Sequence, residues 1–524
     1  MNTSNIKTPG VYINEINDFQ NAVVPVATAV PAFIGYTPQA EYEGESYYNK
    51  AQKISSFNEF QAIYMLPDPS ASVQQYSPQY YLVEQKQQPN GGDYLTISGK
   101  YYAIVSDPNT IYYLYNSIRL FYENGGGDAY IVSVGSYGAA AGKPMDDADG
   151  QIVNGNVTLS DLQQGLEILK NEQEPTMYIC PEATLLSKDD NATLMQNMLF
   201  QAEEMQTVVC LFDIIGGRNP DPILYTQDIE NFRNNVGTQG LKYGVSYYPF
   251  LGTTIMQSGE LNYTNLNGGD VKQLQPLLSP KDNPNATVEK ILSEIENPPA
   301  NPLTTSQYNN ALINASSTFK QIMNHVIADA NVLPPSGGMA GVYTVNDNNF
   351  GVWHAPANVS IQSVVSLPIY LSGSQQENLN VDAVSGKSIN AIRFFNGQGI
   401  LVWGARTLDG NSLDWRYVST RRTLTFIEQS AKFATRTYVF EPNDAKTWAG
   451  VKSMISNFLT TLWKEGGLQG ASAAQAFQVE VGLGITMTPD DIANGFMSVT
   501  VKVAVVRPAE FIVITFQQQQ ATSG

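Results

Sequence analysis

Only two histidines, His325 and His354, occur in 524 residues, so a Ser-His-Asp triad, a Cys-His pair or a multi-histidine metal site would have to use one of them. His325 falls in a helical pattern with no partner at ligand spacing. His354 sits beside a proline in the turn-like Gly351-Val352-Trp353-His354-Ala355-Pro356, and both read as structural. Val384-Ser385-Gly386-Lys387-Ser388 resembles the end of a phosphate-binding loop, but the glycine required five residues before Gly386 is Val381, and no strand leads cleanly in. Gly125-Gly126-Gly127 follows a helical pattern instead of opening one and lacks the spacing of a dinucleotide fingerprint, so it reads as a helix stop. The pairs Asp189-Asp190 and Asp490-Asp491 each precede an apolar helical pattern, where negative charge complements the helix dipole. Cys180 and Cys210 lie inside apolar runs and read as small buried hydrophobes. No cofactor, metal or catalytic residue is expected.

The surroundings agree with a packed, non-catalytic chain. Hydrophobic residues make up 43% and aromatics 10%, ample for cores and contrary to disorder. The net charge of -19 repels polyanions over most of the surface, which makes nucleic acid and anionic membrane poor partners. Met1 to Gly10 carries no apolar signal core, and no run of about 18 apolar residues occurs. The expectation is a chain that is neither Sec-exported nor membrane-spanning. Its length exceeds one ordinary core and suggests several domains.

Residues 1–35 read as an extended arm, because Pro9, Pro25 and Pro31 punctuate apolar stretches with no helical period. Residues 36–110, rich in Tyr, Gln, Ser and Pro, read as a small accessory or inserted module. From Ile111 a helix with Leu114, Ile118 and Phe121 on one face leads into a buried strand at Ala129 to Val134. The alternation continues with helices near Leu159 to Leu169, Ala192 to Glu204 and Ile223 to Asn234. Strands at Thr176 to Cys180, Thr207 to Ile214 and Leu241 to Tyr247 separate them, giving an α/β layer with a mostly parallel sheet over 111–360. Within it, the Asn-, Pro-, Gly- and Thr-rich stretch near 252–310 reads as a surface insertion or long loop.

Residues 361–524 form an expected α+β domain. Ile389 to Phe395 and Ile400 to Trp403 flank a turn as a hairpin, and a helix follows around Thr420 to Ala434. A second helix starts after Asn443 or Asp444 and aligns Trp448, Val451, Ile455, Phe458, Leu459 and Leu462 until Gly466-Gly467 stops it. In Phe496 to Val506, valines at 499, 501, 503 and 505 alternate with Ser498, Thr500, Lys502 and Ala504, the pattern of a half-buried antiparallel strand. A second run, Phe511 to Phe516, follows Arg507-Pro508-Ala509-Glu510.

Several segments, in order, resemble the contractile tail sheath family. They are Thr8-Pro9-Gly10-Val11-Tyr12-Ile13 with Val26 to Gly35, then Phe121 to Tyr130, Ile400 to Thr407, Trp415 to Val418, Val439 to Asn443, Met487 to Ile492 and Val506-Arg507-Pro508-Ala509-Glu510-Phe511. The stretch Ile400 to Thr407 looks closer to sheaths of extracellular contractile injection systems than to many phage sheaths. The resemblance implies a subtilisin-like α/β middle domain without a matched protease triad, followed by a C-terminal α+β core domain. Fold alone does not confer the protease chemistry.

It further implies that extended N- and C-terminal strands are exchanged between subunits: Val11, Tyr12, Ile13, Val23, Val24 and Val26 from the arm, and Val499, Val501, Val503, Val505, Phe511 and Val513 from the end. An extended arm and a terminal alternating strand are what strand addition requires. A C-terminal helix facing an inner tube is implied as well, and Lys446, Lys452, Ser456, Thr460 and Lys464 on the Lys446 to Lys464 helix are the candidates.

The implied partners are copies of the chain in stacked rings or a helix, an inner tube protein, baseplate and terminator or cap proteins, and sister sheath proteins. The implied setting is assembly in a bacterial cytoplasm as part of a phage tail or a released tail-like particle. The alternatives are another self-assembling structural protein (tube, baseplate or surface layer) and a subtilisin-like hydrolase.

Overall fold

A computed structural model describes residues 22–65, 76–88, 94–145 and 151–513. The described chain divides into two compact units, one of residues 27–422 with 507–513, the other of residues 22–26 with 423–506. Together they make a mixed α/β, multidomain chain.

The larger unit is built on an eight-stranded sheet. Its strand order is Gly399–Trp403, Asn390–Phe395, Gly244–Tyr248, Val209–Asp213, Met177–Ile179, Pro31–Thr37, Ala129–Ser136 and Gln52–Ile54. The six inner strands run parallel, and an antiparallel strand closes each side. The inner strands are nearly continuous apolar runs, because helices cover both faces of such a sheet. Those helices begin where the sequence places chain-start signals. Thr158 and Ser187 accept N–H bonds at the heads of Leu159–Ile168 and Lys188–Met205, with Asp189 and Asp190 in the latter's first turn. Gly125, at φ +77, ends Leu114–Glu123, and a Cβ there would come within 2.5 Å of Val345.

Three sequence expectations change. Pro31 to Gly35 is not part of an arm: Pro31–Thr37 is an inner strand, fully buried and paired in parallel on both sides. Pro31 is tolerated because it opens the strand. The stretch 252–310 is not a surface loop, since Leu261, Leu266, Leu274 and Val288 are fully buried and the helices Ala286–Glu296 and Thr305–Ala315 lie within it. Short helical turns bury its leucines without any long period for the eye to find. The hairpin Asn390–Phe395/Gly399–Trp403, grouped from sequence with the C-terminal region, pairs with Gly244–Tyr248 in the large sheet. The boundary near 360 is therefore not where the described chain divides; the division falls within the helix Val418–Thr435.

Inside the 36–110 stretch, Tyr80–Gln85, Tyr94–Ile97 and Lys100–Ser106 make a three-stranded antiparallel sheet. Gln52–Ile54, from the same stretch, joins the large sheet instead.

The smaller unit centres on the helix Ala445–Lys464. Asp444 caps it by accepting the Lys446 and Thr447 N–H groups at 3.0 Å each. Val451, Met454, Ile455, Phe458, Leu459 and Leu462 form its buried stripe, and Gly466 and Gly467 end it. The ring of Phe458 lies 5.8 Å from that of Phe426. Against this helix packs a two-stranded antiparallel sheet of Phe477–Val481 and Val499–Val503.

Candidate assembly interface

The two-stranded sheet has no third strand among the described residues. Ala504 donates its N–H to the Ala476 carbonyl at 2.8 Å, and Gln469 donates to the Ala504 carbonyl at 2.7 Å. Successive residues of a strand aim their N–H and C=O groups to opposite sides, so Thr500 and Lys502 face their register partners Glu480 and Gln478. The main-chain groups of Val499, Val501, Val503 and Val505 then point the other way, where the sheet has no further strand among the described residues. By the same alternation Val479 and Val481 face the opposite side, while the Phe477 N–H there already donates to the Ala473 carbonyl. The valine side chains are half-buried while Thr500 and Lys502 are exposed, which pins the register to one choice.

Exposed edges of this kind usually carry devices that block pairing, such as proline or an inward charge. Here the Val499–Val503 strand bears no proline, and its one charge is Lys502. Lys502 points outward and pairs with Glu480 across the strands at 3.2 Å.

Of the other residues singled out, Val11, Tyr12 and Ile13 lie outside the described residues. Val23, Val24 and Val26 lie on a segment without helix or strand in which Val24 is 78% exposed, and Val26 N–H donates to Ser430 Oγ at 3.2 Å. Phe511 and Val513 lie on a segment without regular structure and are 70% and 88% exposed. On the Ala445–Lys464 helix, Lys446, Lys452 and Lys464 are exposed and Ser456 and Thr460 half-buried. At about 100° per residue these five span an arc of about 120° opposite the buried stripe. Thr460 Oγ1 donates to the Ser456 carbonyl at 2.7 Å, which partly withdraws it from the face.

Sequence reasoning missed the Phe477–Val481 strand, whose F-Q-V-E-V alternation was the available signal. It also missed two buried ion pairs. Arg422 makes a bidentate pair with Asp347 at 3.0 and 2.6 Å and donates to the Thr28 carbonyl at 2.8 Å, all three residues lying in the larger unit. Arg406 pairs with Glu510 at 2.6 Å. Lone charges inside the apolar Gly404-Ala405-Arg406-Thr407 and Pro508-Ala509-Glu510-Phe511 were the only hint.

The possible catalytic groups lead elsewhere. Lys387 is buried and its Nζ donates to the Arg233 carbonyl, so it has no free ammonium for a phosphate. His354 Nδ1 shares a 2.8 Å hydrogen bond with Asn346 Oδ1, and His325 is half-buried on the helix Ser317–Ala330. Ser336 and Asp213 form a fully enclosed pair in which Asp213 accepts both the Ser336 N–H (2.9 Å) and hydroxyl (2.5 Å), capping the helix Ser336–Phe350. Burial raises the Asp213 carboxyl to about 7 against those two donors. Among the described residues no cluster of three or more His, Cys, Asp or Glu could hold a metal ion, and no helix is long and apolar enough to cross a membrane.

Residues 411–519, which include the whole two-stranded sheet and its supporting helix, match the family of the phage tail sheath C-terminal domain. A subunit in the contracted helical sheath of the anti-feeding prophage is 26% identical, with 98% of this chain and 100% of that one covered at a TM-score of 0.56. Over nearly its whole length the chain is thus similar to a contractile sheath subunit. The tail sheath protein of Vibrio phage KVP40 is 27% identical over 139 residues, which span 26% of this chain and about a fifth (20%) of that relative's length. The fold is also that of a subunit in the contracted PVC sheath complex, an extracellular contractile injection system, at 24% identity, 98% coverage of each chain and a TM-score of 0.56.

Proposed function

We propose that the chain is a structural sheath subunit, not an enzyme, that polymerises around an inner tube and shortens to drive it through a target envelope. The observation that carries this reading is a sheet in the family-matched region whose Val499–Val503 strand has no further strand on its outer side among the described residues, in a chain whose described ends both lack helix and strand. Each copy offers an edge that the end segments of another copy would complete by strand addition, with main-chain bonds giving affinity and the alternate valines giving register. Val11, Tyr12, Ile13, Val23, Val24 and Val26 on one side and Phe511 and Val513 on the other are the donor residues in this scheme, and Val499, Val501, Val503 and Val505 the shared rungs. The contracted state of the two solved relatives supports shortening, and the phage relative supports a place in a phage tail or tail-like particle, which on this reading is assembled in a bacterial cytoplasm.

Shared main-chain bonds tolerate rigid-body reorientation about the linking segments, whereas side-chain contacts between subunits exchange. The lattice therefore changes length without coming apart. No nucleotide is required when the extended lattice is metastable and a few kcal/mol per subunit is released on shortening. We assign the larger unit a subtilisin-like α/β framework that carries no protease chemistry, the enclosed Ser336–Asp213 pair serving as a helix cap. Tube, baseplate and cap proteins, and sister sheaths, are the partners this function demands, with the Lys446, Lys452, Ser456, Thr460 and Lys464 face toward the tube.

Deleting Met1 to Val24 tests the tether role. The expected product is a folded monomer that forms no striated cylinders by electron microscopy, and normal cylinders from it would remove the arm from the mechanism.

A further inference from the structure

The chain leaves the smaller unit after Val506 and, four residues later, meets the most heavily bonded carboxylate of its C-terminal segment. Glu510 accepts from Arg406 Nε at 2.9 and 3.2 Å and from Arg406 Nη2 at 2.6 Å, from Asn380 Nδ2 at 2.8 Å and from the Tyr417 hydroxyl at 3.0 Å. All of these partners belong to the larger unit, as does Glu510 itself. The segment 507–513 has no helix or strand to hold it. The other ion pair at its root, Arg507 to Asp414, is long at 3.5 Å and mostly exposed, a type worth little.

The receiving guanidinium is set in advance. Its remaining nitrogen, Nη1, donates to the Asn380 and Gly410 carbonyls at 3.3 and 3.4 Å, and the Arg406 N–H donates to Asn390 Oδ1 at 2.8 Å. Asn390 in turn donates to the Ser246 carbonyl in the large sheet at 3.1 Å. Glu510 is thus tied to the sheet through two intermediaries, each with a fixed orientation. The Arg406 side chain is only 3% exposed, so its charge depends on this carboxylate, with the two carbonyls as neutral acceptors. Directly beyond the tie, Phe511, Ile512 and Val513 are 70%, 78% and 88% exposed, three successive apolar residues turned to solvent.

We infer that the Glu510–Arg406 tie is a positioning device that fixes the root of the C-terminal segment and aims Phe511 onward at a second copy of this chain. The inference rests on the assembly reading above and adds to it the residues that make delivery directional. A second copy is the fitting occupant because the same chain exposes what an apolar extended segment needs, an open strand edge backed by half-buried valines. A root held by a bidentate, charge-assisted pair loses its conformational freedom before association, so strand addition no longer has to order it. An untied root would search many directions and bind more weakly for the same contacts.

The experiment uses the full chain with Ile512→Cys carrying a nitroxide label, the native Cys180 and Cys210 being buried and unreactive under mild labelling. Glu510→Gln keeps the shape and removes the charge, and Asn380→Ala is a milder second variant that leaves the ion pair and deletes one donor. In the unassembled protein, Glu510→Gln should narrow the nitroxide spectrum at position 512 while the melting curve of the chain stays cooperative. The concentration needed for cylinders should rise by about tenfold or more, with Asn380→Ala intermediate. A spectrum unchanged by Glu510→Gln overturns the tie. A narrowed spectrum with assembly at the parent concentration overturns its role in delivery. Should the parent chain itself form no cylinders under any condition, the assembly reading falls, whereas the spectrum still reports on the tie.

Discussion

Proline at position 501 should weaken assembly and spare the monomer, while proline at the neighbouring position 500 should damage the monomer. The difference follows from register. Thr500 faces Glu480 in a hydrogen-bonded rung, so Thr500→Pro deletes an intrachain bond and forces a ring into the narrow side of the pair. Val501 aims its N–H at the open edge, where edge-strand proline is tolerated, so the folded subunit loses only part of a half-buried side chain. For an incoming strand the change removes one donor and leaves one acceptor of the guest unpaired, a cost of about 2 kcal/mol per shared strand, or about thirtyfold in association. Thermal unfolding followed by circular dichroism reads the first effect. Sedimentation with electron microscopy across a concentration series reads the second. Cylinders from Val501→Pro at the parent concentration, with a monomer as stable as the parent, would refute the claim that this edge is shared between copies.

Two further outcomes follow from the geometry. Lys452→Glu with Lys464→Glu should leave the monomer's melting temperature unchanged and prevent co-sedimentation with the inner tube; binding equal to the parent's would remove that helix face from the tube contact. Burial pushes Glu182 up to about 8, against the N–H groups of Leu114 and Tyr113 that it accepts at the head of Leu114–Glu123, and Asp213 up to about 7. Both carboxyls keep a proton in the folded state that the unfolded chain releases above its ordinary value, so stability is full below about pH 4 and falls as pH rises through 7 and 8. Each contributes a slope of at most about 1.4 kcal/mol per pH unit, and Glu182→Gln should halve the loss measured by denaturant titration between pH 5 and 7. An unaltered slope would show that Glu182 is ionised in the fold.

Much of the local structure could be read from the chain because the signals were local. Helix heads announced themselves through Asp189-Asp190, whose charge sits in a first turn, and through Asp444, whose carboxylate accepts two N–H groups of the helix it caps. The valine alternation at 499–505 named the strand, although its regular part is shorter, Val499–Val503. The misreadings share a cause. Pro31–Thr37 looked like arm because its proline and uniform apolarity carry no period, and only the two flanking parallel strands make it core. The 252–310 stretch looked like loop because its composition is polar, while a few leucines at irregular spacing do the burying. Glu510 and Arg406 stand 104 residues apart, a separation at which nothing in either neighbourhood marks the other as partner.

The order of apolar and polar residues thus settled, without further help, that this is a packed α/β chain with histidines too few and too poorly placed for common catalytic sites, and that its end carries a half-buried strand. Side-chain period and capping act over a few residues and need no neighbours to be effective. Which residues share a unit, so that 22–26 lie with 423–506 and 507–513 with the large sheet, was decided in three dimensions. So was the open edge. An unpaired N–H is a property of the space beside a strand, and no stretch of sequence records whether another strand will fill it.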